Sequence, residues 1–444
     1  MEPIPRRLAV LRGRQFRLFS TGYAVSLFGS STASVAVAFA VLDGGGGGSG
    51  LGVVMAARIV PVVLLLVLGG AAADRLGPRR TMLGSDGLRC ATQAATAALL
   101  FAGHGTVWAL AALMVLWGLG EAVFLPALDA LLPRIVPAVA ELADANALLG
   151  IARNGAAVAG PALAGLLTAT AGPGWVLLLD AASYAAGLAA LALLRVPPGP
   201  AADGPAPGLP AELRDGWGEF RSRRWLWASV LQGCLFNLLV WAPFLVLGPV
   251  LAREHLGGAG GWGAVMGAYG AGAVLGGLVL LGRRPRRPLR TVLAVTAGWA
   301  LPSGALALGG PLPLVAVAAA GAGVASIVSG SLFATLVQRH VPPRALGRVG
   351  AYVTLGAFAF GPVGLVLAGP LATAVGARTV LGWGAAWQLA SCAAVLALLG
   401  RREPVAAPAG PAPEVRTAPV PPGDGGRGPG PGVAEPVSGG DVER

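Results

Sequence analysis

Lysine is absent from this chain of 444 residues, so all 32 basic side chains are arginines. Charge of either sign is scarce: charged residues make up 12% of the sequence, whereas soluble domains carry roughly 25%. The three cysteines stand apart within apolar runs, and none of the three histidines has a ligand-forming neighbour, which excludes a disulfide framework and predicts no metal site. With 55% hydrophobic residues, the chain cannot cover a water-facing surface of this size, and the composition predicts an integral membrane protein.

The sequence also lacks the constellations that enzymes need. No Ser/His/Asp, metal or nucleotide motif is present, and the glycine run at 44–50, GGGGGSG, lacks the preceding strand and the following Lys-Ser/Thr of a phosphate-binding loop. The net charge of +12 could indicate nucleic acid or an anionic membrane surface. Because the arginines recur between apolar runs, we expect a lipid bilayer as partner and no nucleic acid. Because the catalytic motifs are missing, we expect no enzymatic activity.

Apolar stretches of about 20 residues, the length that crosses a bilayer, recur along the chain. They divide into two sets of six and predict an all-α integral membrane protein with twelve transmembrane helices in two six-helix halves. The predicted spans are 16–42, 51–73, 82–103, 107–132, 146–171, 174–194, 226–251, 262–281, 291–308, 312–337, 349–375 and 380–399.

The arginines predict the orientation and the domain organisation. Alternate loops are rich in arginine, and the remaining loops hold only Arg253 and Arg378, so both termini are expected on the cytoplasmic side of the plasma membrane. The segments are a cytoplasmic N-terminus (1–15), a first half (16–194), a Pro/Gly-rich cytoplasmic linker (195–225), a second half (226–400) and a tail (401–444). The tail is rich in Pro and Gly and is expected to be disordered.

The loop between the second and third predicted helices reads GAAADRLGPRR, and the corresponding loop of the second half, GRRPRRPLR, is also rich in arginine. Two six-helix halves with matching loops indicate internal duplication and alternating access between the halves. The first loop resembles the signature loop of the major facilitator superfamily. The matching positions are Gly70, Asp74, Arg75, Gly77, Arg79 and Arg80. The resemblance implies that they act as a conformational gate together with the nearby acids Asp86 and Asp129.

A second motif lies in the fifth predicted helix, where GPALAG, with Gly160, Pro161 and Gly165, resembles the antiporter motif of that superfamily. Segments such as LLDAASY and ADANAL are similar to its enterobactin-exporter and macrolide-efflux branch. The resemblance implies export of a small amphipathic molecule, driven by inward proton flow and without a bound cofactor. It also implies that Asp74 latches the halves by facing the start of the eleventh helix, while the loop arginines pair with Asp129 or Asp86.

Charged residues deep in a span are costly and are functional candidates by default. Glu121 lies about ten residues from one end of the fourth predicted helix, and Arg153 lies at a similar depth in the fifth. The two side chains could form a pair that loads and releases a proton, or a fixed structural pair. Many relatives of this superfamily branch carry an aspartate in the first helix, where this chain has Ser30. Coupling would then rest on Glu121 or be altered.

Aromatic and small polar side chains within the spans suit a bulky amphipathic ligand. The substrate-cavity candidates are Tyr23, Ser26, Trp117, Phe124, Phe236, Asn237, Trp241 and Phe333. Three functions remain open: a proton-coupled exporter of a drug, macrolide or siderophore; a facilitator or importer on the same fold; and a non-transporting membrane sensor or scaffold. We expect a monomer that binds a small-molecule substrate, whose identity no short motif encodes.

Overall fold

The computed structural model describes residues 9–136, 139–196, 221–280, 287–341 and 360–399, together with residues 218, 285, 349 and 353. The predicted linker and tail lie almost wholly outside the described residues. Helices account for nearly all of the described chain. The first six are α1 (Arg14–Asp43), α2 (Gly47–Leu76), α3 (Pro78–Phe101), α4 (Val107–Ile135), α5 (Val139–Ala171) and α6 (Pro173–Leu193).

The second set begins with α7, in which Arg224–Phe236 continues through a π-helical turn, Asn237–Trp241, into Ala242–His255. Next come α8 (Gly258–Leu280) and α9, in which Pro288–Thr296, the 3₁₀ turn Ala297–Trp299 and Ala300–Ala307 follow one another. The set ends with α10 (Leu312–His340), α11 (Gly361–Val375) and α12 (Ala377–Leu399). The twelve predicted spans correspond to these helices. The largest differences are at α5, which begins at Val139 and not at Asn146, and at α11, whose predicted start lies outside the described residues.

Nine of the helices in the described ranges are long and apolar enough to cross a membrane. The three others are α3, which carries four charged side chains; α9, which a 3₁₀ turn interrupts; and α11, of which fifteen residues are described. Long apolar helices suit a bilayer because each helix satisfies its own backbone hydrogen bonds without water. The fold is an all-α membrane fold built from two sets of six helices.

The loops alternate between two faces of the molecule. The loops after α1, α3 and α5 line one crevice, and those after α1, α7 and α11 line another. These loops define the Gly44 face. On the opposite face, Arg79 at the start of α3 reaches the end of α6, and Gln15 in α1 accepts a hydrogen bond from the backbone of Arg195. We call this the Gly77 face.

The two halves meet through close helix crossings made of glycine, mostly near the Gly44 face. Gly52 of α2 lies so close to α11 that an added methyl group would come within 2.1 Å of the carbonyl oxygen of Leu365. Gly369 of α11 packs equally closely on the backbone of Ser49. Small residues let helix backbones approach in lipid, where packing and not the hydrophobic effect drives association. The halves are therefore joined on this face in the conformation described.

Candidate functional site

A salt bridge connects α2 and α4 within the first half. The Arg58 Nε atom lies 3.1 Å from the Oε2 atom of Glu121, and a second guanidinium nitrogen lies 3.3 Å from Oε1. The guanidinium lies 3.7 Å from the ring centre of Trp117 and donates a 3.0 Å hydrogen bond to Ser34 of α1. The two charged side chains keep 27% and 30% of their surface exposed. The pair is thus embedded among helices, yet both side chains keep part of their surface accessible.

The sequence predicted a pair between Glu121 and Arg153, but in the structure Glu121 pairs with Arg58 instead. Gly118 of α4 packs directly on the backbone carbonyl of Arg58, where an added methyl would lie 2.2 Å from its oxygen. Because Glu121 is three residues further along α4, it shares that face and meets the Arg58 side chain. Arg153 is exposed on α5, and its guanidinium lies 3.5 Å from the Tyr23 hydroxyl.

A second ion pair is buried within α3. Asp86 accepts a hydrogen bond from Arg89 one turn later, and neither side chain is more than 9% exposed. The Arg89 guanidinium lies 4.2 Å from the ring centre of Phe124 and 4.6 Å from that of Tyr184. Cation–π contacts of this kind stabilise a guanidinium that has lost its water. Asp86 was predicted to support the signature loop, and it serves this internal pair.

Asp180 of α6 is completely buried where α1, α3 and α6 meet. Its Oδ2 atom lies 2.5 Å from the side-chain nitrogen of Gln93 on α3, and Ser183 on its own helix lies 3.3 Å from Oδ1. Gly29 of α1 lies above the carboxylate, so that an added methyl would come within 2.7 Å of Oδ1. No cation among the described residues forms a salt bridge with this carboxylate.

Part of the signature loop is described. Gly77 joins α2 to α3 with φ at +83°, a conformation that favours glycine. Arg79 donates hydrogen bonds of 2.8 and 2.6 Å to the carbonyls of Leu191 and Ala192 at the end of α6. A cation there also complements the negative end of the helix dipole.

Arg79 therefore bonds a helix end, and the predicted pairing with Asp86 or Asp129 is not seen. Asp129 is exposed on α4 and forms no ion pair with a described residue, and Arg80 is exposed. The other signature positions, Gly70, Asp74 and Arg75, fall in the last turns of α2, where side chains lie outside the described part of the chain.

The GPALAG segment lies where the halves meet. Gly165 of α5 faces Gly263 of α8 so closely that a methyl on either would come within 2.7 Å of the other's α-carbon. Gly160 packs against Ser31 of α1, and the carbonyl of Pro161 lies beside Gly263. The motif therefore packs α5 against α1 of its own half and against α8 of the opposite half.

The four substrate candidates of the first half are packed inside that half. Tyr23 stacks between Phe19 and Phe124 at 5.7 and 5.9 Å. The Trp117 indole donates a 3.0 Å hydrogen bond to the Tyr184 hydroxyl, and the Ser26 hydroxyl donates to the backbone of Ser183. All four, Phe124 included, are at most 6% exposed. In this conformation Tyr23, Ser26 and Phe124 line a cavity of about 10 Å³, far smaller than the roughly 300–1,000 Å³ of a ligand pocket. The four side chains therefore support the charged cluster as ring and hydroxyl partners.

The second half presents an aromatic cluster instead of charge. Trp299 of α9 is in contact with Phe236, Trp241 and Tyr269, at ring distances of 5.1, 4.9 and 5.4 Å. The π-helical turn of α7 begins at Asn237, which donates to the carbonyl of Gly233 within the helix. Such turns often occur at functional sites.

Phe333, the remaining candidate, lies apart from this cluster. It packs against Trp225 at 6.3 Å, toward the Gly77 end of α7 and α10. It therefore belongs to a separate packing contact.

Several residues of the site escaped the sequence analysis. The sequence indicated no functional role for Asp180 or Arg58, and it did not single out Gln93, Tyr184, Tyr269 or Trp299. Spacing could have indicated some of them, since Arg89 and Gln93 on α3, and Asp180 and Tyr184 on α6, are each four residues apart and share a helix face.

Comparison with known proteins identifies the class. Residues 19–365 match the Major Facilitator Superfamily. The chain is 29% identical to the multidrug efflux pump Tap of Mycobacterium tuberculosis, over 81% of this chain and 87% of that protein. It is 24% identical to macrolide efflux protein A of Streptococcus pyogenes, over 82% and 90% of the two chains. The crystal structure of the nucleoside transporter NupG superposes with a TM-score of 0.71 at 13% identity, over 87% of this chain and 99% of that one.

The fold and the polar site inside it define a multi-pass helical membrane transporter and not an enzyme. More narrowly, the chain belongs to the major facilitator superfamily, because the family match covers residues 19–365 of the 444. The resemblance seen in the signature loop is thereby confirmed. The solved structures share only the fold with this chain, at identities well below 25%.

Proposed function

We propose that the protein exports a small amphipathic molecule, such as a drug or macrolide-like compound, in exchange for protons. The relatives that align over most of both chains are named as multidrug and macrolide efflux proteins, which supports this substrate class. We place the transporter in the plasma membrane as a monomer, with both termini in the cytoplasm and with the proton gradient as its energy source. It requires no bound cofactor.

The observation that carries the proposal is the partly exposed Arg58–Glu121 pair inside an apolar half. A charge within a span is costly to maintain, so a pair that remains reachable there serves a polar or ionic partner. The aromatic cluster around Trp299 and Trp241 supplies the second half with an apolar surface. A charged site in one half and aromatic rings in the other suit a ligand with one polar and one apolar end.

Glu121 is the proposed proton-exchanging group of this site. A carboxylate that loses its charge on protonation also loses its attraction for Arg58, so protonation and the contact between α2 and α4 are linked. A ligand that competes for Arg58 or Glu121 would bias the same equilibrium. This linkage is the physical basis for exchanging a proton for a ligand.

We also propose that the signature loop acts as the conformational gate on the Gly77 face. Asp74 would latch the halves, and Arg79 would hold the start of α3 to the end of α6, as its two hydrogen bonds indicate. The gate would be needed because the halves are already joined near the Gly44 face, so access must alternate by opening one face as the other closes.

An efflux assay tests the proposal. The chain is expressed in a bacterial host that lacks its own drug pumps, and cells are loaded with a fluorescent lipophilic cation or a radiolabelled macrolide. We expect lower accumulation than in cells with empty vector, restored to the vector level by a proton uncoupler. Glu121→Gln, with its membrane level confirmed, should accumulate as much as the vector control. Equal accumulation of both probes with and without the wild-type chain would contradict export of these classes.

A facilitator is the second candidate, and Ser30 favours it. Ser30 occupies the position where many members of this superfamily branch carry an aspartate, and here its hydroxyl lies 2.7 Å from that of Tyr184. A facilitator would equilibrate either probe across the membrane without concentrating it, and the uncoupler would not change the flux of the probe. Uncoupler-insensitive flux in the same assay would therefore select this function over antiport.

A further inference from the structure

We propose that Asp180 is a second proton-binding group of the first half, separate from Glu121, and that contact with α1 controls its access to water. The proposal rests on the proton antiport proposed above and adds a residue that no motif assigned. It is carried by the burial of the carboxyl, the identity of its hydrogen-bond partners and the glycine that covers it.

The partners of Asp180 differ in kind from those of Glu121 and Asp86. Glu121 pairs with Arg58 and Asp86 with Arg89, so each has a cation to hold its charge. Asp180 has 0% exposure, and within the described part of the chain its carboxyl is bonded only by the neutral groups of Gln93 and Ser183. A buried carboxylate that lacks a bonded cation is costly to keep charged, and protonation removes that cost. Among the described acids of this half, Asp180 is therefore best placed to be neutral.

Gln93 can bind the carboxyl in both of its protonation states. An amide carries donors on its nitrogen and an acceptor on its oxygen, and rotation of the group exchanges the two. The Gln93 nitrogen faces Asp180, while its oxygen is buried without a partner among the described residues. With Asp180 charged, the nitrogen donates to it. With Asp180 protonated, the rotated amide accepts the O–H, which satisfies the free oxygen.

Water reaches Asp180 only if a neighbouring helix moves. Gly29 brings the α1 backbone directly over Oδ1, and Gln93 covers Oδ2 from α3. The proton therefore enters from the aqueous phase when α1 separates from α6. The proton forms an O–H bond with a carboxylate oxygen. This bond breaks again, and the proton leaves, when the carboxyl is next exposed to water. No electrons are transferred.

Other charged and titratable groups surround this position and set its response to pH. α3 contributes Cys90, whose thiol contacts the Ala181 carbonyl, and α6 itself contributes Tyr184. Four charged side chains are not bonded to Asp180 but lie close enough to act on it or on its neighbours. They are Arg58, Asp86, Arg89 and Glu121. From α1 the facing residue is Gly29, which carries no charge.

Infrared difference spectroscopy of the purified protein tests the assignment without any ligand. A protonated carboxyl gives a C=O band that disappears on deprotonation and shifts in heavy water. The measurement is made in Glu121→Gln, which removes the other carboxyl proposed to exchange protons; we expect a titrating band in this variant and its loss when Asp180→Asn is added. Gln93→Met should keep the band but move its frequency, because the carboxyl loses its hydrogen-bond partner. A titrating band that survives in the Glu121→Gln/Asp180→Asn double variant, or no titrating carboxyl band in Glu121→Gln, would overturn the proposal.

Isotope labelling keeps the assignment testable if Asp180→Asn fails to fold. In Glu121→Gln protein, aspartate heavy-labelled at the side-chain carboxyl should shift the band, and labelled glutamate should not. Because Asp86 would also be labelled, Asp86→Asn is measured in parallel and should retain the band. A band that shifts with labelled glutamate, or that vanishes in Asp86→Asn, contradicts the assignment to Asp180.

The access step has its own variant. The methyl group added by Gly29→Ala would overlap the Ser183 side chain and come within 2.7 Å of the Oδ1 atom of Asp180, so α1 must move away from both. We therefore expect the band to respond to heavy water faster than in the wild type. Gly87→Ala on α3, where an added methyl meets no atom within 4 Å, is the matched control and should exchange at the wild-type rate. Equal exchange rates in Gly29→Ala and wild type would show that α1 does not control access. If export fails in every assay while the band behaves as expected, only the proposed function is lost.

Discussion

At the scale of single residues, three acids packed among the helices of the first half are held by three different means. Glu121 has a partly exposed salt bridge, Asp86 a buried one, and Asp180 only neutral hydrogen bonds. Burial of a charge is tolerable when a partner compensates it, so each arrangement gives its carboxyl a different tendency to bind a proton. Three acids of one chemical type can thus serve different tasks.

Arg79 and Arg80 make a matched pair for testing the signature loop. Arg79→Ala removes two charged hydrogen bonds to the end of α6, and hydrogen bonds to charged groups are worth about 1.5–3 kcal/mol each. Because Arg79 is half-exposed, we expect a total loss of about 2 kcal/mol in the free energy of unfolding. Unfolding of the purified protein in detergent should show this loss, with little change in Arg80→Ala. Equal effects of the two substitutions would contradict a specific role for Arg79.

At the scale of the helices, the close crossings depend on glycine. The α5–α8 contact is one of them, with Gly165 facing Gly263, and the α2–α11 contact is another, with Gly52 facing Leu365. Such crossings hold two backbones together by packing alone, so they can separate without breaking a salt bridge. This suits an interface that must open and close.

Gly165→Ala tests the α5–α8 crossing. The new methyl would lie 2.6 Å from the backbone of Gly263, so the helices must move apart. Overpacking of this kind costs about 1–3 kcal/mol, and we expect export to fall by about tenfold or more as closure weakens. Gly155→Ala on the same helix, where a methyl meets no atom within 4 Å, is the control and should export normally. Normal export by Gly165→Ala would show that this contact does not limit transport.

Much of the helical framework could be predicted from the sequence, because a bilayer requires long apolar helices and arginines mark their ends. The pairing inside the half could not. Glu121 was matched to Arg153 by depth alone, whereas helix rotation and the approach at Gly118 decide in favour of Arg58. Depth along a helix is readable from sequence, but the direction in which a side chain points depends on which neighbours pack against it.

At the scale of the whole molecule, a salt bridge between described residues also connects the two halves. Arg253 at the end of α7 lies 3.4 Å from the carboxylate of Asp43 and also donates to the Leu42 carbonyl at the end of α1. Both charged side chains are about half exposed, at 48% and 55%. Exposed pairs contribute little, so the glycine crossings and not this bridge should dominate the contact between the halves.

Arg253→Ala tests that ranking. Exposed ion pairs are worth about 0.2–1 kcal/mol, so we expect export to fall by no more than about fivefold. Asp43→Ala and the double substitution complete a thermodynamic cycle, in which the double variant should be no worse than either single one. A loss in Arg253→Ala larger than that in Gly165→Ala would contradict the ranking.

The central claim is exchange of a small amphipathic molecule for protons, and proton movement in sealed vesicles tests it most directly. The purified chain is reconstituted into liposomes that hold a pH-sensitive dye, and a macrolide or a lipophilic cation is added on one side. We predict proton flux opposite to ligand flux, ligand accumulation against its gradient when a proton gradient is imposed, and loss of both in Glu121→Gln. Ligand movement that neither drives protons nor responds to the proton gradient would contradict the account.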